Sequence, residues 1–274
     1  MSRPWVLPLC GAVAGCASVI GVPNDTPSFC AQNQGHDYCE DFDVGDPAAR
    51  WSYVVTKGGA QWAIKPSDDS PPNLIDLSAP AIPADGGVAL AGFDKEFMPG
   101  FHGLHIEADV RFVTQRDAGF VGQIGVLIIT DKEGGCLAVA AVPGGLGVVN
   151  LVTPLECSAL TNGSTGMMMM GPPTDAGGPD GGAFTGSPLG PLPPPNQWFH
   201  MVIDVKPDPS GDGSGTFIMN IVGQPTGYMP APIKKMTLVS SGAPLVGFSN
   251  TPQPGTTIAT EVQYDNVTID LKSH

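Results

Sequence analysis

Gly103-Leu-His-Ile-Glu-Ala-Asp-Val-Arg-Phe-Val113 alternates without a break. In an extended chain successive side chains point to opposite faces, so Leu104, Ile106, Ala108, Val110 and Phe112 share one face. His105, Glu107, Asp109 and Arg111 share the other. A helix would scatter the apolar set around its circumference. The stretch therefore reads as a strand with one wall in a core and one in water, the pattern of an antiparallel sheet. Residues 198–206 and 261–271 alternate in a similar way. Further extended segments fall at 38–43, 51–55, 60–64, 87–93, 121–130, 136–142, 146–152, 216–222, 235–239 and 244–248, between clusters of Gly, Pro, Asn and Asp. No window carries a helical apolar stripe with a capping signal. The expected fold is all-β, a single antiparallel sandwich or jelly roll.

Composition agrees. The 274 residues include 37 Gly and 29 Pro, and only 14% are charged. That mixture suits short strands joined by turns and disfavours helical bundles and coiled coils. With 26 acidic and 12 basic residues the formal charge is −14, which argues against nucleic acid as a partner.

The first residues read as an address. Arg3 precedes an apolar run from Trp5 to Gly15, too short for a hydrocarbon core that needs roughly twenty residues. Val13-Ala14-Gly15-Cys16 resembles a bacterial lipobox. That resemblance implies a signal peptide over 1–15 and a lipid on Cys16, followed by a tether over 16–37. It also implies an exported protein anchored at the outer membrane, since no aspartate follows the cysteine. Cys30, Cys39, Cys136 and Cys157 then remain, an even number in an exported chain, and read as two disulfides. Of three possible connectivities, Cys30–Cys39 with Cys136–Cys157 is favoured because each closes a local loop. The sandwich is expected over 38–271, with a low-complexity insertion at about 162–196 holding Met167 to Met170 and many Gly and Pro.

At Cys39-Glu-Asp-Phe-Asp43, with Gly45 and Trp51 following, the chain resembles the first strand of concanavalin A-like lectin/glucanase jelly rolls. Val262 to Asp270 looks like their closing strand. In laminarinase-like members the first and last strands lie side by side and share a structural calcium. Carried over by position, its ligands are Glu40, the Gly45 carbonyl and Asp265, and hard oxygens of this kind suit calcium. Those enzymes also place three carboxylates on one strand. Glu107 and Asp109 match the first two, whereas Arg111 or Phe112 stands where the second glutamate belongs. Arginine cannot serve as a general acid. The plain alternative is a solvated face with an Arg111–Asp109 ion pair.

Other motifs are weaker. Asp208 to Gly213 begins like a calcium loop but lacks its closing glutamate, so a hairpin turn is expected. His36, His200 and His274 look scattered, and His102 and His105 cannot face the same way. The sequence thus points to an envelope lipoprotein whose sandwich binds carbohydrate without catalysis. A hydrolase or lyase on polysaccharide, and a purely structural role, remain as alternatives.

Overall fold

The computed structural model describes residues 27–67, 72–83, 87, 89–98, 102–114, 125–131, 136–142, 145–151, 187–223, 228, 230–234, 244–252 and 257–272. They form two packed antiparallel sheets, with strands numbered β1 to β15 in chain order. The larger sheet runs β13 (Ala231–Ile233), β12 (Gly215–Ile221), β11 (Trp198–Pro207), β6 (Leu104–Phe112), β15 (Thr260–Leu271), β4 (Asn73–Ala79), β3 (Gln61–Pro66). Beyond the end of the β4 ladder, β1 (Tyr38–Glu40) pairs with the second half of β15. First and last strands therefore lie side by side, as the jelly-roll resemblance implies. The smaller sheet runs β10 (Ser187–Gly190), β9 (Gly145–Leu151), β8 (Cys136–Val142), β7 (Gly125–Asp131), β14 (Pro244–Asn250), β5 (Leu90–Glu96), β2 (Tyr53–Lys57). This is the expected all-β sandwich.

Its core is assembled from one wall of each strand. Leu104, Ile106, Ala108, Val110 and Phe112 on β6 are buried, and Met201, Ile203 and Val205 on β11 meet the same core. Trp51 is buried against Tyr38, Phe93 and Phe248, and Trp62 packs on Phe93 at 5.8 Å. Trp51 is thus a core residue, and Trp62 is half-buried against the core's edge. Large side chains closed off in this way stabilise the sandwich by about 2 kcal/mol each. Asn250 crosses from the smaller sheet to the larger, donating to the Leu77 and Thr260 carbonyls at 2.8 and 2.9 Å.

Three features depart from the sequence reading. The strand β4 carries no clean alternation, because Leu74, Ile75, Asp76 and Leu77 are all buried between its neighbours. Part of the expected tether is folded: α1 (Phe29–Gln32) is capped by the Ser28 hydroxyl, and Cys30 is disulfide-bonded to Cys39. Asp37 and His36 then bind the Asp270 carboxylate, and the Leu271 N–H donates to Asp37. Third, the end of the expected insertion supplies β10, which pairs with β9. Cys136 is also disulfide-bonded, while Cys157, Cys16, the tetra-Met run and segment 235–239 lie outside the described residues. Residues 208–214 turn between β11 and β12, with Asp208 and Asp212 accepting backbone N–H groups two residues on.

A side chain in the bend of β15

The β15 ladder to β6 slips by one residue between Asp265 and Thr268. Asn266 takes up the extra residue at φ 49°. Its amide Nδ2 then reaches the Asp109 carboxylate at 2.7 Å. The bulge therefore converts a sheet irregularity into a ligand for the neighbouring strand.

Candidate functional site

The solvent wall of the larger sheet is where the sequence places Glu107 and Asp109. Register brings β11 beside them: Asp204 pairs with His105 and His200 with Asp109. Directly opposed residues of an antiparallel pair share a face, so these polar side chains meet. His105 Nδ1 lies 3.1 Å from Asp204, and its Nε2 lies 3.0 Å from one Glu107 oxygen. The other Glu107 oxygen lies 3.3 Å from His200 Nε2. His200 Nδ1 continues to Asp109 at 2.8 Å, and Asn266 occupies the second Asp109 oxygen. Lys272 closes the far end on Asp204. The result is an unbroken row, Lys272, Asp204, His105, Glu107, His200, Asp109, Asn266, laid across three strands.

The row is half-open to water: the side chains of His105, Glu107, Asp109 and His200 keep 25%, 34%, 20% and 31% of their exposure. A neutral imidazole offers one N–H and one lone pair, so between two carboxylates it gains by taking a second proton. The Asp109 hydrogen bond raises the His200 pKa above its ordinary value, against burial, with Glu107 adding to it. Burial opposes the charge on His105, but Glu107 and Asp204 outweigh it and its pKa is also raised. Asp204 is lowered: Lys272 and His105 overcome its burial. Because both histidines are raised, their ion pairs are complete below about pH 6.5 and are lost as pH climbs through the folded values. In an NMR titration both ring signals should titrate above about 6.5. Titration of either at or below that value contradicts the row.

A second polar group adjoins the first. Arg111 donates to Gln263 at 2.7 Å and lies over the Trp198 ring at 4.7 Å. Gln263 donates to Asp76 and Glu261, and Lys65 pairs with both acids. The expected Arg111–Asp109 pair is therefore replaced by Arg111–Gln263 and Asp109–His200. His200, which looked isolated in the sequence, is central. Period-two spacing marks His105, His200 and Asp204 as outward-facing, but the register that joins β6 to β11 has no sequence signal.

The three calcium candidates are not brought to one face. Glu40 pairs with Val267, a core position, and its carboxylate is buried against Arg50 at 2.7 Å and the Phe42 N–H at 2.8 Å. Gly45 lies in the loop after β1 at φ 75°, just before Asp46 caps α2 (Pro47–Arg50). Asp265 pairs with Asp109, on the outward wall. One Asp265 oxygen accepts the Asn266 N–H at 2.9 Å, while the other is buried with the Ser67 side chain beside the carboxylate. Burial, with Asp43 and Asp109 adding like charge, pushes its pKa up to about 8. Among the described residues no group of three or more His, Cys, Asp or Glu side chains is arranged around a metal position.

Asp94 and Glu96 form a further carboxylate pair, on the outer wall of β5 in the smaller sheet. Asp94 sits between Tyr53 on β2 and Gly247 on β14. Its carboxylate covers Gly247 so closely that a Cβ there would meet an Asp94 oxygen at 1.8 Å. Burial raises the Asp94 pKa to about 6, and Glu96 accepts from the Tyr53 hydroxyl at 2.9 Å. The sequence signal was Asp94-Lys-Glu96, two carboxylates at strand spacing, hidden because the apolar run ends at Phe93.

No protein-family model and no curated protein matches the chain. Solved structures do. An endo-β-1,4-glucuronan lyase from the fungus Trichoderma reesei is similar over 87% of this chain and 96% of its own, with TM-score 0.58 and 11% identity. An alginate lyase from Aplysia kurodai is similar over 87% and 100%, with TM-score 0.56 and 11% identity. A cellulose-induced protein is similar over 86% and 98%, with TM-score 0.51 and 12% identity. At such identities the likeness shows a shared β-sandwich fold.

Proposed function

We propose that this chain is an exported envelope lipoprotein, anchored through Cys16, whose sandwich binds a glycan on the outer face of the larger sheet without cleaving it. The row from Asp204 to Asn266 carries the reading. The carboxylates of Asp204, Glu107 and Asp109, held along adjacent strands by the two imidazoles, keep lone pairs to which sugar hydroxyls donate, at about 1 kcal/mol per hydrogen bond. Both oxygens of Glu107 and of Asp109 are already engaged, so neither is placed to protonate a leaving oxygen. Structures named for glucuronan, alginate and cellulose share the fold and support carbohydrate as the ligand class. Glu107→Gln breaks the link between the two histidines and should weaken polysaccharide binding about tenfold, read by affinity electrophoresis of the full chain. Unchanged binding would remove this face from the proposal. Cys16→Ser should abolish labelling by a radiolabelled fatty acid and release the protein from membranes; retained labelling would contradict the anchor.

One observation favours a second reading, hydrolysis of polysaccharide. Asp94 and Glu96 share a face with Cα atoms about 6.7 Å apart by strand geometry. One is pushed up to about 6 and the other is held by Tyr53, the division of environment that separates an acid from its partner. In that reading Asp94→Asn abolishes reducing-end release. A wild-type chain that releases none rejects it.

A further inference from the structure

We infer that the glycan taken on this face carries no carboxylate or sulfate groups; the inference rests on the binding reading above and narrows its ligand. A polyanion needs cations that the protein has not already used. Among the described residues on the outer wall of the larger sheet, Lys65 is paired with Asp76 and Glu261, and Lys272 with Asp204. Arg111 is engaged by Gln263 and stacked on Trp198. His105 and His200 each stand between two carboxylates. Lys206, exposed near the end of β11, supplies one cation two residues past Asp204, a single charge against a polymer that carries one on every sugar.

An anionic sugar docking on the row would have to displace Glu107 or Asp109 from a histidine, or face those carboxylates directly. A like charge at 4 Å costs about 1 kcal/mol even in water and more beside a protein wall. Each further charged residue of the polymer repeats that cost along the strand direction. The chain as a whole, at formal charge −14, repels polyanions at long range. Hydroxyl groups meet no such penalty. They donate to the lone pairs that the carboxylate oxygens still have free, leaving the imidazole N–H groups and the ion pairs in place.

The test is affinity electrophoresis and calorimetry of the full chain at low and high ionic strength. Laminarin, mixed-linkage β-glucan and mannan are the uncharged probes, and alginate and polyglucuronate the polyanions. The expected result is binding to an uncharged polymer that changes less than about twofold with salt, since no net charge is neutralised. Polyanions should bind at least about tenfold more weakly at low salt. Alginate or polyglucuronate bound as tightly as any uncharged polymer would overturn the inference while leaving glycan binding intact. Binding to none of the five would overturn the binding reading itself.

Discussion

Replacing Asn250 with alanine should lower the unfolding free energy by about 4 kcal/mol. Asn250 is completely buried on β14, yet its partners belong to the opposite sheet. Its amide donates to the carbonyls of Leu77 on β4 and Thr260 on β15, and its carbonyl accepts the Thr260 hydroxyl at 2.9 Å. Alanine leaves two carbonyls and a hydroxyl in the core with no water to replace the lost donor and acceptor. Each such orphan costs about 1–3 kcal/mol, and the vacated volume adds to it. Chemical denaturation should show a lower midpoint with an unchanged slope, because the surface exposed on unfolding is the same. A loss below about 1 kcal/mol would mean that the two sheets are not tied through this amide.

Asp265→Asn should act in the opposite direction. The buried carboxyl has a folded pKa near 8, far above the ordinary carboxylate value. Protonation therefore favours the fold. The wild type carries no penalty below about pH 4, loses stability steadily as pH rises toward 8, and carries the full penalty above it. Asparagine is neutral throughout and turns an N–H toward the like-charged neighbours Asp43 and Asp109. The variant should match the wild type at pH 4 and exceed it by on the order of 3 kcal/mol at pH 8. That corresponds to roughly 6–12 °C in Tm for a domain of this size. The same variant separates this account from calcium binding at Asp265. If a cation were held there, asparagine would be destabilising, and chelator would depress the wild type alone.

Much of the sandwich was legible because its strands are one-sided. The alternation of 103–113 identified β6, the wall it buries and the wall that carries the polar row. Where a strand is covered on both faces the signal fails. Asn73 to Ala79 reads as an apolar patch with an aspartate in it, and Asp76 is explained only by Lys65 and Gln263 reaching it from other strands. The site was half legible for a related reason. Glu107 and Asp109 were found by spacing along one strand, a local property. His200 joins them from a strand that begins 86 residues after β6 ends, and Asn266 joins through a bulge. Register and bulges are set by pairing across the sheet, so single-strand patterns do not contain them. Glu40 shows the converse: the sequence does not tell that this carboxylate lies on the core side of β1, where Arg50 pairs with it.

The central claim is that a glycan docks on the His105–Glu107–His200–Asp109 row and leaves intact. Its most direct test is an NMR titration of the full chain in detergent with an oligosaccharide of the bound polymer, following the ring protons of His105 and His200. The account predicts that both sets of signals shift and saturate together, that His200→Ala weakens the saturation at least about tenfold, and that the oligosaccharide keeps its length. Histidine signals that stay still while the sugar binds, or a sugar recovered shortened, would contradict it.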